Sequence, residues 1–280
     1  MTSSFMNLNS IVQNNRNQLF DILKGITIFM VIYGHMIVLY DIDYMQSEAL
    51  LFIYMFHMPL FIFISGYFLY PSVKKTTIKE WLKKKFYGIL LPSITYGTVI
   101  SSKLLIGMYS RNAVDWDSVF KLFIHGLWFL PVLFILCIIA KFIECQDKIS
   151  KPLLWCIFIV GTQFLPEDLI FNGLKALGVF FCLGILSKYY QSHIVDFYQY
   201  YRTAINIGVF ALFFIAYRSF NFEHTLYVIE TDYDTLQYWR NFAIRTLSGV
   251  TGIASCFIVG SFIDNKNVMG GVSLKAVCHI

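Results

Sequence analysis

This sequence predicts an all-α bundle of membrane-crossing helices, on three observations: its composition, the length of its apolar blocks and the placement of its charges. Of its 280 residues, 57% are hydrophobic and 14% charged. A soluble domain carries about 25% charged residues, so this chain lacks the polar side chains to cover a water-facing surface. The apolar residues fall in long blocks, several near the roughly 20 residues that an α-helix needs to cross a hydrocarbon core about 30 Å thick. Eight spans are predicted, at about 21–40, 50–70, 87–108, 122–141, 152–166, 169–187, 203–220 and 242–263, the fifth being the shortest.

Charge placement sets the orientation, because Lys and Arg beside span ends are retained on the cytoplasmic side. Between spans two and three stand Lys74, Lys75, Lys79, Lys83, Lys84 and Lys85, which makes that segment cytoplasmic. Threading alternately from it predicts both termini inside. About 15 of the 22 Lys and Arg then lie on the inner side, as the positive-inside rule requires. The outer loops hold the acids Asp41, Asp43, Glu48, Asp115, Asp117, Glu223, Glu230, Asp232 and Asp234. The net charge of +5 is thus an orientation signal, and nucleic acid is not an expected partner.

The polar N-terminal stretch has neither a basic segment nor an apolar one of signal-peptide type, so no cleavable leader is expected and span one stays in the chain. The six cysteines show no CxxC pairing and read as small apolar packing residues. P-loop, dinucleotide-binding, HExxH and GxSxG motifs are absent, so the common soluble chemistries are unsupported and no metal is expected. No repeat or linker divides residues 1–280, which are taken as a single integral membrane domain.

Inside spans an ionisable side chain costs several kcal/mol unless it faces a partner or a polar cavity, so each one is a functional candidate. They are His35, His57, Lys103, His125, Lys175 and Arg245. His35 and His57 approach the same outer loop from opposite sides, and at 1.5 Å per residue their depths differ by only about 3 Å. Two readings of His57 are open: a second imidazole at the site, or a satisfied polar group between helices. Lys24 and His35, eleven residues apart, fall within about 20° of one helix face and about 16 Å apart along it. A cation at one end and a titratable base at the other suit acyl-coenzyme A, whose phosphates and thioester lie at opposite ends of a thin arm. Asp21, one turn before Lys24, is placed to pair with or orient it. The plain alternative for Lys24 is a snorkelling, orientation-setting lysine.

The stretch FDILKGITIFMVIYGH from Phe20 to His35 resembles the first-helix signature of the acyltransferase 3 family: a basic residue, ten intervening residues and a histidine. FHMPLFIFISG from Phe56 to Gly66, LWFLP from Leu127 to Pro131 and the basic approach KKKFYGILLP from Lys83 to Pro92 are similar to further hallmarks, closest to the fucose 4-O-acetyltransferase-like branch. The resemblance implies transfer of an acetyl group from cytoplasmic acetyl-CoA to a carbohydrate hydroxyl. The implied acceptors are surface polysaccharides such as O-antigen, capsule or exopolysaccharide, lipid-linked carriers included. It assigns catalysis to His35 and donor binding to Lys24.

Where members often carry an arginine pair ahead of the span-three proline, this chain has Lys85 and Gly88, leaving Lys85 as the donor-side candidate. The family usually has about ten spans. The segment Gly271–Ile280 reads as the start of a further helix, so a C-terminal truncation is an expectation.

The expected chemistry is general-base activation of the hydroxyl by neutral His35, with an acylated His35 as the alternative. Trp128 is either a platform for sugar rings or an interfacial anchor. Pro131 is expected to interrupt span four and open a polar pocket. The absence of Asn-x-Ser/Thr acceptor sites points to a bacterial cytoplasmic membrane. A glycan transporter or flippase is the rival class, using the same buried groups as a pathway, although no inverted repeat supports it.

Overall fold

A computed structural model of the protein describes residues 18–41, 43–73, 76–109, 114–125, 127–146, 149–225 and 235–267. Among them the chain is α-helical throughout, with short 3-10 and π segments and no strand. The helices are α1 (Gln18–Tyr40), α2 (Glu48–Val73), α3 (Ile78–Lys85), α4 (Leu91–Tyr109), α5 (Trp116–His125), α6 (Phe129–Glu144), α7 (Lys151–Thr162), α8 (Leu169–Tyr189), α9 (Gln191–Ser219) and α10 (Thr235–Asn267).

Six stretches are long and apolar enough to cross a bilayer: α1, α2, Ile78–Tyr109, α8, α9 and Leu236–Ile263 of α10. Together they make the protein an all-α polytopic bundle, as expected. The predicted fourth and fifth spans differ. The fourth divides into α5 and α6, with turn residues at Leu127 and Trp128, and the fifth shortens to the 12 residues of α7. The chain breaks ahead of Pro131 because a proline needs no intrahelical N–H partner in the first turn of a helix. Pro131 is the third residue of α6: it begins a helix instead of interrupting one.

Pro92 acts differently in the third span. It sits in the second position of α4, directly after the π segment Phe86–Leu90, and the Leu91 N–H bonds back to the Phe86 carbonyl. A proline inside a helix clashes with the carbonyl four residues earlier, here that of Gly88, and lacks the N–H to bond it. Widening the turn by one residue relieves the clash, so α3 and α4 join into one 32-residue rod, Ile78–Tyr109. Thr77 starts that rod by accepting the Glu80 N–H at 3.3 Å.

Two compact units form. The first contains α1, α2 as far as Phe61, α9, and α10 from Ser248. Aromatic rings hold α9 and α10 in it: Phe52 and Phe56 meet Phe213 at ring-centroid distances of 6.0 Å, and Phe20 meets Phe257 edge-on at 5.4 Å. Gly252 lets α10 lie against the Phe56 side chain, since a Cβ there would come within 2.3 Å of it.

The second unit contains α2 from Ile62, α3 to α8, and the segment Phe220–Leu247. At its centre α2 and α8 touch backbone to backbone. A Cβ on Gly66 would lie 2.3 Å from the Phe181 carbonyl, and one on Gly184 2.1 Å from that of Phe63. Small residues at crossings of this kind let apolar helices gain close packing where no hydrophobic drive between them exists.

Around that crossing, α6 runs parallel to α8, with Val132 and Trp128 against Gly173 and Leu136 against Gly178. α7 runs antiparallel to α8, with Trp155 beside Phe181 and Gln163 bonded to the Lys175 carbonyl. Helices α6 and α7 are therefore packed along the depth of the unit despite their length. Buried Lys141 ties the far end of α6 to α2, donating to the carbonyls of Val73 and Thr76. It satisfies groups that a helix C-terminus leaves open. Glu144, also buried, accepts from Trp155 Nε1 at 3.1 Å and pairs with Lys151 at 3.5 Å.

Candidate active site

Four of the sequence-derived candidates, Asp21, Lys24, His35 and His57, lie in the first unit, and Lys85 and Trp128 in the second. On α1, Lys24 and Asp21 form an ion pair at 3.9 Å, with the Lys24 side chain 45% exposed. Leu23 and Thr27 beside them are buried, and the Thr27 hydroxyl donates to the Leu23 carbonyl at 2.7 Å. The helix thus turns an apolar edge inward and leaves the Lys24 head accessible.

Two turns from its end, α1 meets α2. Gly34 is buried against Leu50, Ile53 and Tyr54, which a Cβ would contact at 3.6 to 3.8 Å. His35 follows it and is exposed. His57 is buried at 6% exposure. Its Nδ1 lies 2.7 Å from the Ile53 carbonyl. A carbonyl only accepts, so Nδ1 carries the proton and Nε2 keeps the lone pair. The Tyr54 ring stacks on the His57 imidazole with centroids 5.5 Å apart. Ile53 and Tyr54 therefore lie against both the glycine before His35 and the imidazole of His57. The arrangement joins one accessible imidazole to one fixed by its neighbours.

In the second unit, Lys85 places its ammonium 5.6 Å from the centre of the Trp81 ring, a cation–π contact at the last residue before the π segment. Trp128 is 7% exposed, with its ring edge against Gly173 of α8.

Several polar residues of this unit escaped the sequence reading, which weighed titratable groups inside spans and passed over amides. Asn172 and Asn241 are buried, at 8% and 1% exposure. Gln163 links α7 to α8 and, through Tyr238, to α10. Lys141 and Glu144 stood at a predicted span end, where charge is ordinary, and their burial comes from packing that periodicity does not encode. Among the described residues no group of three or more His, Cys, Asp or Glu gathers in a way that could hold a metal ion.

No solved structure matches the chain. Two nodulation proteins NolL are similar to it: one from Sinorhizobium fredii, 29% identical over 180 residues, covering 62% of this chain and 49% of the relative, and one from Mesorhizobium japonicum, 31% identical over 185 residues, covering 62% and 48%. The chain thus matches about half the length of these curated relatives. The family model Acyl_transf_3, described as an acyltransferase domain, matches residues 17–274. That match takes in α1 with Lys24 and His35, the α2 segment with His57 and both short helices of the predicted fourth span, and the chain accordingly belongs to the acyltransferase 3 family.

Proposed function

We propose that the protein is a membrane O-acyltransferase that moves an acetyl group from cytoplasmic acetyl-CoA to a hydroxyl of a cell-surface carbohydrate. In this reading it works as one integral domain in a bacterial cytoplasmic membrane, with both termini inside and a free or lipid-linked acceptor. The observation that carries the reading is helix α1, with the accessible Lys24 head near one end and exposed His35 about 16 Å further along, one residue past the contact of Gly34 with the helix that holds His57.

On this reading Lys24 meets the phosphates of the donor and the thioester reaches His35. Neutral His35 takes the proton of the acceptor hydroxyl as its oxygen attacks the thioester carbonyl. The tetrahedral intermediate collapses with loss of the coenzyme A thiolate, which takes the proton back from the imidazolium. The products are an acetyl ester and free coenzyme A. His57 serves as a positioning residue, and Lys85 as a second donor-side cation.

Incubating membranes that hold the protein with radiolabelled acetyl-CoA and a deacetylated surface glycan tests the proposal. Label is expected in the glycan, in a base-labile ester, with wild type and not with His35→Ala. Equal labelling by the two would overturn the role of His35, and no labelling by either would overturn the reaction.

A further inference from the structure

The rod Ile78–Tyr109 of the second unit presents two opposite faces. On one, Ser93, Gly97 and Ser101 are buried, and Gly97 lies so close to α5 that a Cβ there would fall 2.5 Å from the Phe123 carbonyl. At 3.6 residues per turn, the opposite side of the helix passes through Leu91, Thr95 and Val99. There Tyr87, Leu91, Pro92, Thr95, Tyr96 and Val99 line an open groove of about 520 Å³, and all six are exposed. The Thr95 hydroxyl donates to the Leu91 carbonyl at 2.9 Å. Its polar atom is thus satisfied within the helix, and the groove loses nothing by taking a hydrocarbon chain.

One turn before Tyr87, on the same side of the rod, Lys83 and Lys84 are exposed and make no ion pair among the described residues. Lys85 instead turns its ammonium to the Trp81 ring. The acid of α3, Glu80, stands in its first turn and accepts from the Thr77 hydroxyl at 3.0 Å. The π segment Phe86–Leu90 joins the lysine turn to the groove without a break. From Tyr87 to Val99 the groove runs about 18 Å at 1.5 Å per residue. One leaflet contributes roughly 15 Å to a hydrocarbon core about 30 Å thick.

We propose that this face binds one anionic phospholipid of the cytoplasmic leaflet, with its phosphate at Lys83 and Lys84 and an acyl chain along the groove. The ligand matches both ends of the site and its length. A zwitterionic lipid fills the groove and leaves the two ammonium groups without a net counter-charge, and a free anion leaves the groove unused. A second copy paired across this face would set the same lysines against each other, since such an interface is self-complementary. The site lies wholly in the second unit and is independent of the acetyl-transfer reading. It rests on the cytoplasmic placement of the segment Lys74 to Lys85.

The test is photo-cross-linking of the full-length protein in phosphatidylcholine nanodiscs that contain a trace of either of two probes. These are phosphatidylglycerol and phosphatidylcholine, each with a diazirine on one acyl chain, and adducts are mapped by mass spectrometry. Phosphatidylglycerol should label Tyr87–Val99 roughly 10- to 30-fold more than phosphatidylcholine does, the effect of two lysines beside an anionic headgroup. Replacing both lysines, Lys83→Gln with Lys84→Gln, should bring the two probes level. The phosphatidylcholine signal should stay at the wild-type level there, which reports an intact groove. Lys83→Arg with Lys84→Arg should keep the preference, and Thr95→Trp, which fills the groove, should abolish labelling of this segment by both probes. Equal labelling of wild type by the two probes, a preference that survives loss of both lysines, or undiminished labelling of Thr95→Trp would each overturn the site. Cross-links between two copies through this face would give the groove to a second copy. Displacement of the phosphatidylglycerol probe by acetyl-CoA would assign the lysines to the donor, and either result would also overturn it.

Discussion

His57 donates from Nδ1 to the carbonyl oxygen of Ile53 at 2.7 Å, and this one bond settles which of its nitrogens keeps a lone pair. Turning the ring would leave the buried Nδ1–H unmatched, and Tyr54 stacks on its face. His35, one residue beyond the Gly34 contact with Ile53 and Tyr54, is by contrast exposed. The fixed imidazole suits a supporting role and the accessible one suits the chemistry.

The two histidines should therefore be unequal and coupled. His35→Ala should lower acetyl transfer by at least roughly 100-fold, with the protein accumulating normally, because an exposed side chain contributes little to packing. His57→Ala should cost less. The double variant should be no worse than His35→Ala alone, since a residue that acts through another loses its effect when that partner is gone. Initial rates for the four proteins in membranes decide the matter, and multiplied losses in the double variant would show two independent roles.

The α2–α8 crossing should tolerate no side chain at all. In Gly184→Leu the new Cβ would fall 2.1 Å from the Phe63 carbonyl and 2.9 Å from the Tyr67 nitrogen, and backbone cannot step aside as a flexible side chain does. Size-exclusion chromatography of detergent extracts should show little or no monodisperse protein. Gly208→Ala on α9, with no atom within 4 Å of the added Cβ, should extract like wild type or gain up to about 1 kcal/mol from helix propensity.

How much of this was legible in the sequence depends on the kind of signal. Helical periodicity alone places Lys24 and His35 along one face, and the structure keeps them on one unbroken helix. Block hydropathy finds α1, α2, α8 and the apolar part of α10 within a few residues, because each is one continuous apolar run. It fails at the fourth span, where LWFLP is as apolar as its flanks, so the turn at Leu127 and Trp128 leaves no trace in hydropathy. It also misses the junction of α3 with α4, because a lysine-rich helix and an apolar one differ in composition while the π turn ahead of Pro92 keeps them continuous. The pairing of Gly66 and Gly184 with backbone of the facing helix, and the burial of Asn172 and Asn241, are properties of the packed chain and not of any local pattern.

Acid should loosen the segment after α9. His224 is buried, and its Nδ1 accepts the Asn221 N–H at 3.0 Å. Burial first, and the Arg245 guanidinium second, hold its pKa below the usual value of 6.5. The unfolded segment therefore takes up a proton before the folded one does. The stabilisation is complete above about pH 6.5 and declines as pH falls below it, because protonated Nδ1 can no longer accept. Hydrogen exchange over Phe222–Thr225, corrected for intrinsic rates, should show protection falling between pH 7.5 and 5. In His224→Leu the protection should be lower at the outset and independent of pH, and an unchanged pH response in that variant would remove His224 as the cause.

The donor should report on the other end of α1. Lys24 is half exposed and shares its charge with Asp21 at 3.9 Å, a distance at which the pair is worth little to stability and is readily exchanged for a phosphate. If Lys24 meets the anionic head of acetyl-CoA, Lys24→Gln should raise the donor KM by roughly 10- to 100-fold, because a charge-assisted contact contributes about 1.5–3 kcal/mol, while the acceptor KM barely moves. Lys24→Arg should retain most of the activity, since the charge and the capacity to bind phosphate remain. Asp21→Asn is the discriminating partner: removing a carboxylate that competes for Lys24 and repels phosphate should lower the donor KM or leave it unchanged. A lysine that only sets orientation gives a different pattern, with both constants near wild type in Lys24→Gln, because Lys74 to Lys85 still hold their segment on the cytoplasmic side. Donor and acceptor KM measured separately in membranes, at two salt concentrations, separate these outcomes. The donor effect should shrink at high salt as screening grows, and a change confined to the acceptor constant would remove coenzyme A from this end of the helix.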